Sequence, residues 1–164
     1  MKIDLTALKK FGSLPFDCSM PLEEGLLDRK AKALSPLRLR GTCSLADGTV
    51  WADGRLTLRF EAPCDRCLKP VRVDLDLPFR EAFAEEGDPS ELYLYEGDEL
   101  DLSKAARDAL VLNLPSLVLC REDCKGLCPV CGRDRNTESC NCSDPAEEAN
   151  PFAVLKQLQD QDKS

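Results

Sequence analysis

Histidine is absent from this 164-residue chain, and that absence removes a large part of enzyme chemistry. There is no imidazole to act as general base, to activate a Ser or Cys nucleophile, or to complete a mixed Cys/His zinc site. A catalyst would have to work with carboxylate, Lys or Cys alone, and no paired-carboxylate or phosphate-loop pattern provides one. The expectation is a protein that is not an enzyme and takes no small-molecule substrate. Aromatic residues are scarce too, at 5% with one Trp, so Trp51 is the one candidate for stacking on a nucleic-acid base. No run approaches the ~18 consecutive apolar residues of a membrane span. Residues 1–10 carry no apolar segment of signal-peptide type, so a cytoplasmic protein without a membrane partner is expected.

An excess of positive charge is also missing. The net charge is −8, whereas nucleic-acid-binding domains are usually basic. The imbalance is uneven: residues 1–60 hold ten basic and seven acidic side chains, residues 81–110 two basic and ten acidic. Any basic surface must therefore be local.

What the chain has in abundance is cysteine, with ten thiols. Six of them, Cys120, Cys124, Cys128, Cys131, Cys140 and Cys142, fall within 23 residues punctuated by Gly126, Pro129 and Gly132. That spacing leaves no room for a hydrocarbon core, so metal or disulfides must hold the stretch together. In a reducing cytosol, clustered CxxC pairs favour metal over disulfides. A further pair, Cys64 and Cys67, lies between two strand-like segments. Four pairs make eight ligands, enough for two zinc ions held by four thiolates each, with no position left open for catalysis.

Two partitions are compatible with the spacing. The preferred one closes Cys128, Cys131, Cys140 and Cys142 locally and joins Cys64 and Cys67 to Cys120 and Cys124. The rival groups Cys120, Cys124, Cys128 and Cys131, leaving the first pair to meet Cys140 and Cys142. Cys128-Pro-Val-Cys131 also has the form of a dithiol redox motif. Such motifs sit where a strand feeds a helix, however, and neither CxxC has that context. Cys18 and Cys43 are expected to be ordinary small apolar residues.

From Leu37 to Phe79 apolar residues alternate with polar ones in three segments, 37–45, 50–61 and 71–77, the third extensible through 79–83. This pattern predicts an antiparallel meander. Gly54 on the apolar parity suggests a bulge. Lys2–Leu8 and Leu92–Leu94 are candidate short strands. Residues 101–113 repeat apolar positions at helical spacing, with Asp101 as N-cap and Pro115 as a stop. One face of that helix should cover the sheet. The acidic stretch 85–101 is expected to be a solvated loop. Asn150-Pro151 opens a short helix over 152–158 after an acidic linker.

The predicted fold class is α+β: an antiparallel meander or partly closed sheet with a few packed helices and a C-terminal Cys-rich zinc-knuckle module. The chain is long enough for one domain and an appendage. Its expected parts are a β-rich body with one covering helix (1–119), a metal-binding module clasped to it (120–142), and the linker and terminal helix (143–164).

The Cys64-Asp-Arg-Cys67-Leu68 turn, the Leu114-Pro115 helix exit, the run Cys124-Lys-Gly-Leu-Cys-Pro-Val-Cys-Gly132 and the terminal Asn150-Pro-Phe-Ala-Val-Leu155 together resemble the YceD family. Its proteins are implicated in accumulation of large-subunit ribosomal RNA. The resemblance implies a cytoplasmic bacterial factor, or a relative in plant organelles, needed for large-subunit (23S) rRNA accumulation or processing. Its implied partners are precursor large-subunit rRNA, ribosomal proteins or assembly proteins. It prescribes no catalytic residue. Family members often carry Asp-Leu-Asn after the CxxCG, where this chain has Asp134-Arg135-Asn136.

For RNA contact the candidates are Arg38, Arg40, Arg55, Arg59 and Arg72, which share the polar strand parity with Trp51, and Arg66, Lys69, Arg121, Lys125, Arg133 and Arg135 around the cysteines. The competing reading is a protein-interaction scaffold without nucleic-acid contact, in which Arg is simply a good solvent-facing strand residue.

Overall fold

A computed structural model describes residues 1–23, 25–27, 31–88 and 92–142. The predicted linker and helix over 143–158 lie outside the described residues. The chain divides into two compact units. The first comprises Met1–Pro63 and Pro70–Val118; the second comprises Cys64–Lys69 and, among the described residues, 119–142.

The first unit is a sheet-rich α+β fold with two helices among its described residues. It begins with β1 (Lys2–Asp4), α1 (Thr6–Phe11) and β2 (Ser13–Met20). There follow β3 (Lys32–Ala33), β4 (Leu37–Ala46), β5 (Thr49–Pro63) and β6 (Pro70–Ala84). It ends with β7 (Tyr93–Leu94), β8 (Glu99–Asp101) and α2 (Ser103–Asn113). The main sheet runs β2-β4-β5-β6-β7, with β3 on β5 beyond the end of β4, while β1 and β8 form a separate pair. The predicted meander is β4-β5-β6, antiparallel throughout. The sheet is open: β2 and β7 end its two sides and do not pair with each other. The partly closed arrangement is therefore not formed.

Period-two burial explains the sheet. Leu37, Leu39 and Cys43 of β4, and Val50, Ala52, Leu56, Leu58 and Phe60 of β5, all lie in one core cluster with Phe79 and Phe83 of β6. Leu5 and Leu8 of the α1 segment join that cluster, as do Leu102, Ala105, Ala106 and Leu110 from α2. The helix predicted over 101–113 thus contributes the apolar face expected of it.

Four local expectations are corrected. The amino-terminal strand ends at Asp4, because Asp4 Oδ1 accepts the Thr6 N–H at 2.8 Å and turns the chain into α1. Gly12, with φ 73°, then stops the helix as its N–H bonds the Leu8 carbonyl at 2.7 Å. The elements expected from the sequence include no strand over 13–20, yet β2 forms there, with Leu14, Phe16, Cys18 and Met20 on one parity. Gly54 is not a bulge: the β4–β5 register runs without a slip through Gly41↔Gly54. The acidic stretch is not merely a solvated loop, for Tyr95 and Leu100 are buried. Its acids also anchor the amino terminus, Asp98 holding Lys9 at 2.8 Å and Glu99 holding Lys2 at 2.6 Å.

Asp101 acts one residue away from its expected place. Leu102 is the N-cap, and Asp101 Oδ1 accepts the Ser103 N–H at 2.8 Å. The Ser103 hydroxyl, opposed by partial burial and helped by the Ser103 N–H, holds the Asp101 carboxyl down at about 2. A carboxyl depressed in the folded state stabilises above its unfolded value near 4 and loses that contribution as pH falls through about 2. Asp101→Ala should cost about 1 kcal/mol at neutral pH, kept small by solvent screening of a half-exposed group. Urea midpoints of the two proteins should differ at pH 7 and converge as the pH approaches 2.

Candidate metal centre

The two CxxC segments fold into the same turn. In the first, the Leu68 N–H bonds the Cys64 carbonyl at 2.9 Å and the Cys64 N–H bonds the Lys69 carbonyl at 2.8 Å. In the second, the Gly132 N–H bonds the Cys128 carbonyl at 2.8 Å and the Cys128 N–H bonds the Arg133 carbonyl at 2.8 Å. Both turns need a left-handed residue directly after the second cysteine. Gly132 supplies it at φ 72°, while Leu68 adopts it at φ 60° despite its side chain. This turn points successive backbone N–H groups at the leading sulfur, which is why CxxC suits thiolate ligation.

The eight thiols converge in two groups, Cys64 with Cys67, Cys120 and Cys124, and Cys128 with Cys131, Cys140 and Cys142. Within each group all four sulfurs lie within 4.8 Å of one another. This is the partition preferred from spacing, and the rival grouping is not the one formed. Cys64 and Cys124 sulfurs are 3.9 Å apart, and those of Cys67 and Cys120 are 3.6 Å apart. Four sulfurs around one zinc at the usual Zn–S distance would be separated by about 3.8 Å, whereas a disulfide requires about 2.05 Å. All ten cysteines are free thiols. The donor set therefore fits a tetrahedral, thiolate-preferring ion at each group. When bound, such an ion would supply cross-linking and charge neutralisation, with no open coordination position.

The electrostatics of the two groups are parallel. Burial pushes the Cys64 thiol up, but the N–H groups of Cys120, Cys67 and Arg66 outweigh it and bring it to about 6. The N–H groups of Cys131 and Val130 do the same for Cys128, also to about 6. Neighbouring thiols that compete for the same negative charge push Cys120 and Cys142 up to about 12. Four sulfurs this close are mutually repulsive as thiolates, and a cation among them removes the conflict.

Two residues not singled out from sequence support the centre. Asn136 Nδ2 donates to Cys124 Sγ at 3.5 Å. Asp134 pairs with Lys69 at 2.6 Å. That ammonium first, and then the Asn136 N–H, hold the Asp134 carboxyl down at about 2. The sequence signal for both is the Asp-x-Asn pattern of Asp134-Arg135-Asn136, which follows the second CxxC turn.

The candidate RNA-contacting residues fall in two places. In the second unit, Arg66 bonds the Cys124 carbonyl at 2.8 Å, Lys69 holds Asp134, and Arg121 bonds Asn136 at 2.8 Å. Arg133 lies 4.0 Å from Glu138, Arg135 is half-buried, and Lys125 is exposed. In the first unit, Arg38, Arg40, Arg55, Arg59 and Arg72 stand on the solvent face of β4, β5 and β6 with half-buried Trp51. That face is charge-paired. Asp17 of β2 takes both Arg38 nitrogens at 2.8 and 2.6 Å and lies 3.8 Å from Arg40. Asp76 binds Arg55 at 2.7 Å, Asp53 lies 3.6 Å from Arg80, and Glu61 lies 3.9 Å from Arg72. Arg80 also sits over the Trp51 ring, 5.3 Å from its centroid.

The family model for "Large ribosomal RNA subunit accumulation protein YceD" matches residues 52–159. The chain belongs to the YceD family. It is 34% identical over 96 residues to the Mycobacterium tuberculosis protein Rv2926c, covering 54% of this chain and 46% of that one. It is 25% identical over 157 residues to YlbN of Bacillus subtilis, covering 92% and 90%. A 45-residue segment is 44% identical to the chloroplastic "Large ribosomal RNA subunit accumulation protein YCED homolog 1" of Zea mays, covering 27% of this chain and 15% of that one. The match spans about half the length of the first of these relatives. No solved structure matches the chain. No helix among the described residues is long and apolar enough to cross a membrane.

Proposed function

We propose that this YceD-family chain is a non-catalytic, cytoplasmic ribosome-biogenesis factor acting in large-subunit rRNA accumulation. It binds precursor rRNA or ribosomal proteins through a scaffold held by two structural zinc ions. The family description carries the biological part of this reading. The convergence of eight thiols into two groups of four supports the zinc. With every ligand position taken by protein, the ions serve shape rather than chemistry.

For RNA contact the sheet face offers few unspent charges, because Arg38, Arg55, Arg72 and Arg80 have carboxylate neighbours. Arg59 and Lys125 carry side-chain cations with no ion pair among the described residues, so they are the strongest phosphate-contact candidates. Charge reversal at both, Arg59→Glu with Lys125→Glu, should weaken binding to large-subunit rRNA fragments and reduce the salt slope of log K by about 2. Fluorescence anisotropy across a salt series measures both quantities. Unchanged affinity and slope would remove direct RNA contact at these residues. The charge-paired face would then favour the second reading, a scaffold that docks a protein partner.

A further inference from the structure

The loop from Cys131 to Cys140 does more than join two ligands of its own thiol group. Asn136 sits near its middle with four side-chain contacts. Oδ1 accepts the Lys125 N–H and an Arg121 Nη2 hydrogen, each at 2.8 Å. Nδ2 donates to Asp134 Oδ1 at 2.6 Å and to Cys124 Sγ at 3.5 Å. Chemistry fixes this orientation, since turning the amide over would set its NH2 against two donors and its oxygen against a carboxylate and a sulfur. Asp134 Oδ1 also accepts the Asn136 backbone N–H at 2.9 Å, and its Oδ2 pairs with Lys69, two positions beyond Cys67. A loop tied at its ends into the Cys128 group thus reaches a ligand sulfur and a flanking residue of the Cys64 group, all within the second unit.

We propose that Asn136, oriented by Asp134, is the positioning residue that couples the two metal sites. The inference rests on reading both thiol groups as metal sites. Metal at Cys128, Cys131, Cys140 and Cys142 closes the loop, and the closed loop holds the Asn136 amide against Cys124 of the other group. An N–H on a ligand sulfur fixes the lone-pair direction and stabilises the thiolate, and such outer-shell partners change metal affinity by about 10–100-fold. The coupling acts in both directions, as linkage requires: metal at the Cys64 group orders Cys124 and favours closure of the second loop.

The test uses the full chain loaded with cadmium-113, a thiolate-binding ion that gives one resonance per site. Each resonance is assigned through coupling to cysteine β-protons. Asn136→Asp keeps the side-chain size and an oxygen for Arg121 and Lys125, but removes the N–H aimed at Cys124. It should move the resonance of the Cys64 group and make that ion about 10–100-fold easier to remove with a competing chelator. Asn136→Ala should do the same, and Glu138→Gln in the same loop should leave both sites unchanged. Cys140→Ser, which breaks only the second group, should loosen the ion in the first. The coupling is overturned if both Asn136 variants hold the Cys64-group ion as firmly as the parent, or if Cys140→Ser leaves that site untouched. A chain that takes up no cadmium at either group overturns the metal reading itself, which is a different result from two independent, filled sites.

Discussion

Stripping the metal from the zinc-loaded protein should unfold residues 64–69 and 119–142 and leave the sheet folded. The reason is what the second unit buries. Among its described residues the buried apolar groups are Cys64, Cys67, Cys124 and Cys128, and all four are ligand candidates. Leu68 and Val130 are exposed, at 57% and 56%. With no Leu, Ile, Val or Phe fully buried and only Leu119 and Leu127 half-buried, the hydrophobic effect contributes little there, and metal ligation is left to supply on the order of 10 kcal/mol per site. The first unit keeps its own core, which contains none of the eight ligands. Elemental analysis should give two zinc ions per chain. Chelation should abolish amide-exchange protection at Cys128 and Gly132 while β5 and β6 stay protected. Cys124→Ser should reproduce the loss at the first group, whereas Cys43→Ser, in the sheet core, should leave zinc content unchanged. Protection that survives metal removal would mean the turns stand without the ion.

Adding a side chain at Gly41 or Gly54 should be among the most damaging single changes to the sheet. The row across four strands runs Phe16, Gly41, Gly54, Phe79, all on the parity that faces the core. At its centre the two backbones approach so closely that a Cβ on Gly41 would lie 2.6 Å from Gly54 Cα, and one on Gly54 would lie 2.9 Å from Gly41 Cα. Each would also strike a carbonyl oxygen of the facing strand, Asp53 for Gly41 and Arg40 for Gly54. The obstacles are backbone, so no rotamer change relieves them, and β4 and β5 must move apart between the buried rings of Phe16 and Phe79. Gly41→Val or Gly54→Val should cost about 3 kcal/mol or more. Denaturant titration of the sheet signal measures this, and a variant as stable as the parent would show that the pinch is not required.

The readings that held rest on patterns complete within a few residues. Alternation in 37–45, 50–61 and 71–77 predicted β4, β5 and β6, because successive strand side chains point to opposite faces. The helix over 101–113 followed from the spacing of Leu102, Ala105, Ala106 and Leu110. The division of the thiols followed from counting pairs and seeking a partition that stranded no ligand. The misreadings have the same origin in reverse. Gly54 looks like a bulge until Gly41 is seen opposite it. Lys2–Leu8 looks like a strand until the Asp4 carboxylate, through one local hydrogen bond from the Thr6 N–H, turns the chain into α1.

The chemistry available to this protein follows from its residue types alone. Without histidine and with eight paired cysteines, thiolate is the soft donor it can offer to a metal, and its Cys-rich segment has little hydrocarbon to bury. How its charges and the Asn136 amide beside Cys124 are used depends on the tertiary fold. Strand register set Asp17 against Arg38 and Asp76 against Arg55, each 21 residues away in sequence, and so changed a seemingly basic face into a paired one. Loop closure brought Asn136 onto Cys124 across 12 residues. Periodicity and ligand spacing are written within one element, whereas the partner of an exposed charge or amide depends on which elements lie side by side.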